Sequence, residues 1–270
     1  MDHAERVRAL EVARQMGREA EVYLLDAYRA GGSVERKGPI DLVTEHDLAV
    51  ERQIRTSLAG AFPADAIVGE EATAVGAPGA RDGAGAGRIW YVDPIDGTTN
   101  FAHGHPFFCV SIALYDGPTP EVGVIVAPAL AVSWWAARGL GCYRNGARCS
   151  VSGTAALSDA LCATGFPYDR WTNDDNLAEH GAFLKRAQGI RRCGSAALDL
   201  ALVAEGTYDV YWEQGLSAWD MCAGAVLVLE AGGRLSDYDG APADARTGRL
   251  VATNGRLHEQ TLAVLAAARA

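Results

Sequence analysis

The run Ile89-Trp90-Tyr91-Val92-Asp93-Pro94-Ile95-Asp96-Gly97-Thr98-Thr99-Asn100-Phe101 decides how the chain is read. Its four leading apolar residues predict a buried strand that stops at Asp93. Pro94 removes a backbone donor and fixes its own φ, and Asp96-Gly97 is turn chemistry. A strand therefore delivers two carboxylates into a turn. Thr98, Thr99 and Asn100 carry side chains suited to a helix start. Carboxylates at a strand end beside exposed N–H groups can hold a hard cation and an oxyanion together. Asp96-Gly97 alone would be an ordinary turn. Two acids around a proline, followed by Gly-Thr-Thr, point to a metal–phosphate site.

Before this run, residues 4–30 predict one helix, with Val7, Leu10, Ala13, Met16, Ala20, Tyr23 and Ala27 at spacings of three and four, ended by Gly31-Gly32. Residues 34–40 predict a short strand or hairpin with Lys37 near its tip. Thr44-Glu45-His46-Asp47 opens a second helix whose face shows Val50, Ile54 and Leu58, and Thr44 and Asp47 have capping-box spacing. Ala66-Ile67-Val68 predicts a strand closed by Gly69-Glu70-Glu71, and residues 72–88, rich in Ala and Gly, a mobile loop.

After the run, apolar stretches at 107–115, 122–127, 132–136 and 141–144 are joined by short turns, the last closing on Asn145-Gly146. That dipeptide is a strong hairpin signal, and the group predicts an antiparallel sheet. From Leu161 the pattern alternates: strands at 161–164, 208–212 and 250–253, helices at 176–187, 195–204, 217–230 and 258–268. This predicts a second α/β half and a division into residues 1–148 and 149–270.

The chain has 270 residues, 49% of them hydrophobic, enough for a substantial core. Its net charge of −10 argues against nucleic acid or an anionic membrane as partner. Clustered carboxylates can still gather divalent cations, which reverse the local sign. The six cysteines form no C-x-x-C pair and read as free thiols. No apolar run approaches the ~20 residues of a membrane span. No signal core follows the charged start, so a cytoplasmic location is expected.

The segment Asp93-Pro94-Ile95-Asp96-Gly97-Thr98-Thr99-Asn100-Phe101 resembles the signature of the inositol monophosphatase family, magnesium-dependent and lithium-sensitive phosphatases. Trp219-Asp220, Ala223-Gly224-Ala225 and Glu230-Ala231-Gly232-Gly233 resemble its second signature. With Asp41-Leu42-Val43-Thr44 and Gly69-Glu70-Glu71, the resemblance spans nearly the whole chain. It implies a layered α-β-α-β-α sandwich, an α+β to α/β fold with an antiparallel sheet in the first half and a smaller mixed sheet in the second. It also implies a homodimer.

The resemblance further implies a site of two to three Mg²⁺ ions. Glu70, Asp93 and the Ile95 carbonyl would hold one ion. Asp93, Asp96 and Asp220 would hold a second, and Glu70 a weaker third. The candidate catalytic residues are Glu70, Asp47 and Thr98, the last orienting the attacking water with Asp47 behind it. Gly97 and Thr98 N–H groups would face the phosphate. Gly194, Ser195, Ala196 and Glu213, with Asp96 and Asp220, would meet the substrate's hydroxyls. Glu71 is either a ligand or an outer support, and Lys37 either lies near the metals or is a solvated surface residue. On spacing alone Asp220 would cap a helix begun by Ser217.

The expected reaction is hydrolysis of a small phosphate monoester, inositol monophosphate first, with histidinol phosphate or fructose bisphosphate as alternatives. Association with the transcription machinery or RNA is a reading of another class. His103 and His105 read as loop residues, because magnesium prefers oxygen.

Overall fold

A computed structural model describes residues 1–30, 34–36, 42–71, 87–167 and 175–269. Lys37 lies outside them, as do residues 72–86 of the loop expected at 72–88; Arg88, at its expected end, already belongs to a strand. The first half contains helix α1 (His3–Ala30), strands β1 (Val34–Arg36) and β2 (Leu42–Thr44), helix α2 (Glu45–Ala61), β3 (Ala66–Gly69) and β4 (Arg88–Asp96). There follow helix α3 (Thr98–Ala102), β5 (Cys109–Asp116), β6 (Thr119–Ala127), β7 (Val132–Ala137), β8 (Gly141–Arg144) and β9 (Ala147–Cys149). Strands β3 to β9 form a seven-stranded sheet in sequence order, with β3 parallel to β4 and every other pair antiparallel. The expected antiparallel sheet thus carries one parallel edge strand, β3 beside β4. Strands β1 and β2 pair antiparallel, so the partner of Val34–Arg36 is Leu42–Thr44 and lies beyond the 34–40 segment in which a strand or hairpin was expected.

The second half contains β10 (Leu161–Thr164), helix α4 (Leu177–Leu184), β11 (Gly189–Arg191), helix α5 (Ala196–Ala204), β12 (Val210–Gln214), helix α6 (Ala218–Glu230), β13 (Arg234–Ser236), β14 (Arg249–Thr253) and helix α7 (His258–Ala268). Its mixed sheet has the order β11-β10-β12-β14-β13. Helix α4 is shorter than expected at both ends. Asn176 adopts a left-handed conformation there and turns its amide inward to Thr164, Gly165 and Trp212.

Alternation along the strands sorts the core into layers. Trp90 and Val92 of β4, with Ile112, Leu114, Val122 and Val124, pack beneath α1 and α2. Ile89 and Tyr91, one residue out of phase, face α5 and α6. Ala163, Tyr211, Leu250 and Ala252 of the second sheet cover those helices from the other side. Cys162, Val210, Trp212 and Val251 point outward to Phe183 of α4 and Leu265 of α7. The order of layers is therefore helix, sheet, helix, sheet, helix. Central strands covered on both faces read as continuous apolar runs. Gly224 brings the two middle helices together: a Cβ there would lie 2.4 Å from Cβ of Leu200.

Two expectations about the strands need correction. Strand β4 does not stop at Asp93 but runs to Asp96. Asp93 pairs with Ser111 and Asp96 with Cys109, so three steps along β4 match two along β5. One residue is extra, which is a bulge, and Pro94 sits in it because it has no N–H to give the ladder. Residues three apart on a regular strand face opposite sides. The extra residue restores the phase, and Asp93 and Asp96 reach the same cleft. Likewise Glu213 lies within β12, whose last residue is Gln214, since its pairing with Leu250 continues the ladder.

Candidate active site

A cleft of about 380 Å³ opens where the halves meet. The first half contributes Glu70, Asp93, Ile95, Asp96, Gly97, Thr98, Thr99 and Asn100. The second contributes Gly165, Phe166, Pro167, Arg192, Gly194, Ser195, Ala196, Glu213, Gly215, Leu216, Ser217, Trp219 and Asp220. Every residue predicted as a metal, phosphate or substrate contact borders it, apart from Glu71 and Lys37. Asp47 stands one layer behind. Glu71 is buried, and its N–H donates to Glu51 at 2.7 Å; Lys37 lies outside the described residues.

The bulge places the first acids. Asp93 is 2% exposed, and its Oδ1 accepts the Ile95 N–H at 3.0 Å. Thr98 Oγ1 lies 2.9 Å from the Ile95 carbonyl and 3.1 Å from Asp47 Oδ1. Asp47 is fixed in turn as the capping acid of α2, its Oδ2 accepting the Thr44 N–H at 2.7 Å and the Thr44 hydroxyl at 2.5 Å. The expected cap and the expected support of Thr98 are thus one carboxylate using its two oxygens. Gly97 holds φ at 95°, and a Cβ there would come within 3.0 Å of the Phe107 carbonyl. The helix after it has only five residues, so an anion would rely on individual N–H groups more than on a long helix's dipole.

The second half approaches through α5, α6 and β12. Asp96 Oδ2 accepts the Ser195 hydroxyl at 2.7 Å and the Ala197 N–H at 2.6 Å. Asp220 Oδ2 accepts the Ser217 N–H at 2.7 Å, which is the capping geometry its spacing predicted. Tyr211 donates to Glu213 at 2.7 Å. A Cβ on Gly165 would lie 2.1 Å from the Glu213 carboxylate, so only glycine fits beside it. Asn100 closes the seam, its Nδ2 donating to Phe107 O at 2.7 Å and Cys193 O at 2.8 Å.

The acids share one field. Burial, then the charges of Glu70, Asp96, Asp220 and Asp47, push Asp93 well above the ordinary carboxylate value. Burial, then Asp96 and Glu70, do the same to Asp220. Burial lifts Asp96 to about 6 against the opposing hydrogen bonds of Ser195, Ala197 and Ala196. Burial lifts Glu213 to about 7, opposed by Tyr211 and Arg192. Behind them Asp199 is 1% exposed, and its Oδ1 has no hydrogen-bond partner among the described residues. Burial and Glu213 push it well above the ordinary value.

Acids so placed want a positive charge among them. Among the described residues, no three or more His, Cys, Asp or Glu side chains stand close enough together to hold a metal ion by themselves. The donors at hand are carboxylates and a backbone carbonyl, the chemistry of a hard cation that keeps several waters and so needs few protein ligands. In donor chemistry, though not in a ready-made cluster, the residues present suit a hard divalent cation.

Sequence reading missed several neighbours. Arg192, one of the Arg191-Arg192 pair before Gly194, lines the cleft as its basic residue. Cys109 lies 3.8 Å from Asp96 Oδ2 and 3.6 Å from the Ser195 hydroxyl. Asn100 was read as a helix starter, not as a clasp. An arginine beside the predicted helix start at Ser195 is a readable signal; the bond from Asn100 to Cys193 is not, because that acceptor is 93 residues away.

Comparison with known proteins places this fold and cleft in a class: the chain is a phosphatase. It belongs to the inositol monophosphatase family, whose model matches residues 5–270. It is 42% identical over 260 residues to the inositol-1-monophosphatase of Synechocystis sp., covering 96% of this chain and 88% of that one. It is 44% identical over 237 residues to the Nus factor SuhB of Pseudomonas aeruginosa, covering 86% of each. Among solved structures, the inositol monophosphatase of Anabaena (Nostoc) sp. superposes with a TM-score of 0.84 at 38% identity, covering 96% of both chains. The extragenic suppressor protein suhB of Bartonella henselae gives 0.86 at 36% identity, covering 96% of this chain and 98% of that one. No helix among the described residues is long and apolar enough to cross a membrane.

Proposed function

We propose that the chain is a cytoplasmic, Mg²⁺-dependent phosphomonoesterase acting on inositol monophosphate or a related cyclitol or sugar phosphate. The observation that carries this reading is the set of Asp93, Asp96 and Asp220 beside one cleft, all raised above the ordinary carboxylate value by burial, with the neighbouring acids' charge adding to it at Asp93 and Asp220. On this reading Glu70, Asp93 and the Ile95 carbonyl hold one ion, Asp93, Asp96 and Asp220 a second, and Glu70 a weaker third. The bound ions would neutralise phosphoryl charge and make a water nucleophilic at neutral pH.

The chain's own groups do the rest. Thr98 donates its hydroxyl hydrogen bond to Asp47 and keeps a lone pair to accept from the attacking water. Gly97 and Thr98 turn N–H groups toward the phosphate. Gly194, Ser195, Ala196 and Glu213 receive the alcohol, since a carboxylate accepts several hydroxyl donors. Residues 1–148 thus supply most of the metal and phosphate site, and residues 149–270 supply alcohol recognition and Asp220. The working unit is a homodimer, tested by sedimentation of the purified protein.

A panel of inositol, fructose, histidinol and nucleotide phosphates, assayed with and without Mg²⁺, tests the reading. Inositol monophosphate turned over best, and only with the metal, is the expected result. Preference for fructose bisphosphate or histidinol phosphate would overturn the substrate and spare the mechanism. The 44% identity to a protein named as a Nus factor favours one further reading, association with the transcription machinery. The net charge of −10 suits a protein partner there better than direct RNA contact.

A further inference from the structure

We propose that Cys142 and Cys149 form a reversible intrachain disulfide, a redox modification site on the edge of the first sheet. The two residues face each other across the β8–β9 hairpin, in direct register. Directly opposed residues of an antiparallel pair have Cα atoms about 4.5–5.5 Å apart, inside the window a disulfide spans. Their sulfurs lie 3.3 Å apart. Closing to the ~2.05 Å bond takes side-chain rotation without moving the strands. Among the described residues no other two cysteine sulfurs are in such contact.

The two thiols are unequal. Cys142 is buried, whereas Cys149 is half-exposed on the last strand of the sheet. The Cys142 thiol draws Cys149 below its ordinary value, helped by Arg144 and opposed by burial and Glu205. Cys149 is therefore the attacking thiol and Cys142 the resolving one. With a low-molecular-weight disulfide such as oxidised glutathione, the Cys149 thiolate attacks one glutathione sulfur and the first glutathione thiolate leaves. Cys142 then loses its proton, attacks the Cys149 sulfur and expels the second. Two protein thiols are oxidised by two electrons, and one glutathione disulfide becomes two glutathiones. Neither cysteine lines the cleft, so the site does not depend on the catalytic reading.

Arg144 and Arg148 lie between the two cysteines, so trypsin separates them unless a bond joins them. The test equilibrates the full chain with a glutathione couple of rising oxidised fraction, alkylates it, and digests it without reduction. The expected result is a linked peptide pair carrying Cys142 and Cys149 that separates on reduction, with loss of two alkylatable thiols. In Cys142→Ser, the expected product is a glutathione adduct on Cys149; in Cys149→Ser, neither bridge nor adduct forms. Both cysteines still alkylated in the most oxidised buffer would overturn the proposal. So would a stable glutathione adduct on Cys149 of the unaltered chain. The unaltered chain decides the matter even if a serine variant fails to fold.

Discussion

Asp93 meets two penalties at once, burial and the negative charges of Glu70, Asp96 and Asp220. Asp93→Asn removes both while keeping the shape. The expected outcome is loss of turnover well beyond the ~10–100-fold seen for residues that only support a ligand, together with a higher melting temperature in chelator. Steady-state assay and thermal melts check the two halves separately. Thr98→Val keeps the volume but loses the hydroxyl shared with Asp47 and Ile95. Its expected effect is a fall in kcat of roughly 10²–10⁴-fold, the range for a group that positions a transferring proton, with a stability loss of only about 1–3 kcal/mol from the lost buried hydrogen bond. His258 tests a different residue. It is fully buried between the hydroxyls of Thr253 and Ser236, and burial holds it down at about 4. Its folded value lies below the ordinary 6.5, so the unfolded chain binds more protons between those values. Its stabilising contribution is full above pH 6.5 and is lost as pH falls from 6.5 through 4. Denaturant titration should show the stability gap between the unaltered chain and His258→Gln narrowing over that range.

At the scale of elements, the helices and strands were legible because period and burial agree, whereas the order of layers followed from the family resemblance. Helix α1 spans 28 residues on a clean three-four repeat, and β5 and β6 read as plain apolar runs. The two capping acids, Asp47 and Asp220, were legible as caps and as site residues, and both stand at helix starts facing the cleft or its support. What failed to show was the bulge in β4. Pro94 announced a break, but whether a chain turns or slips one residue depends on its partner strand, here Ser111 and Cys109. The left-handed Asn176 was hidden for the same reason, since its stabilising contacts to Thr164 and Trp212 come from other elements. Arg192 and Asn100 entered the cleft only once the halves were docked. The approach of β12 to Gly165 gives an element-scale test. Gly165→Ala should push the Glu213 carboxylate aside, raise KM for an inositol ester more than it lowers kcat, and destabilise by about 1–3 kcal/mol. An unchanged KM would remove Glu213 from alcohol recognition.

Across the whole molecule, the net charge of −10 is concentrated in function at one seam, where Asp93, Asp96, Glu213 and Asp220 from both halves have values raised above the ordinary carboxylate range. For acids raised on folding, stability is full below the unfolded value and is lost as pH climbs through the folded one. The metal-free protein should therefore become less stable as pH rises from about 4 through 7, the span set by the ordinary carboxylate value and by Asp96 at about 6 and Glu213 at about 7. A divalent cation should reverse that loss, because it binds the folded seam and has no such site in the open chain. The most direct test is calorimetric titration of Mg²⁺ into the chelator-treated protein at pH 7.5, beside Asp93→Asn under the same conditions. Saturable binding by the unaltered chain, absent or greatly weakened in the variant, is the predicted result; indistinguishable titrations of the two would contradict it.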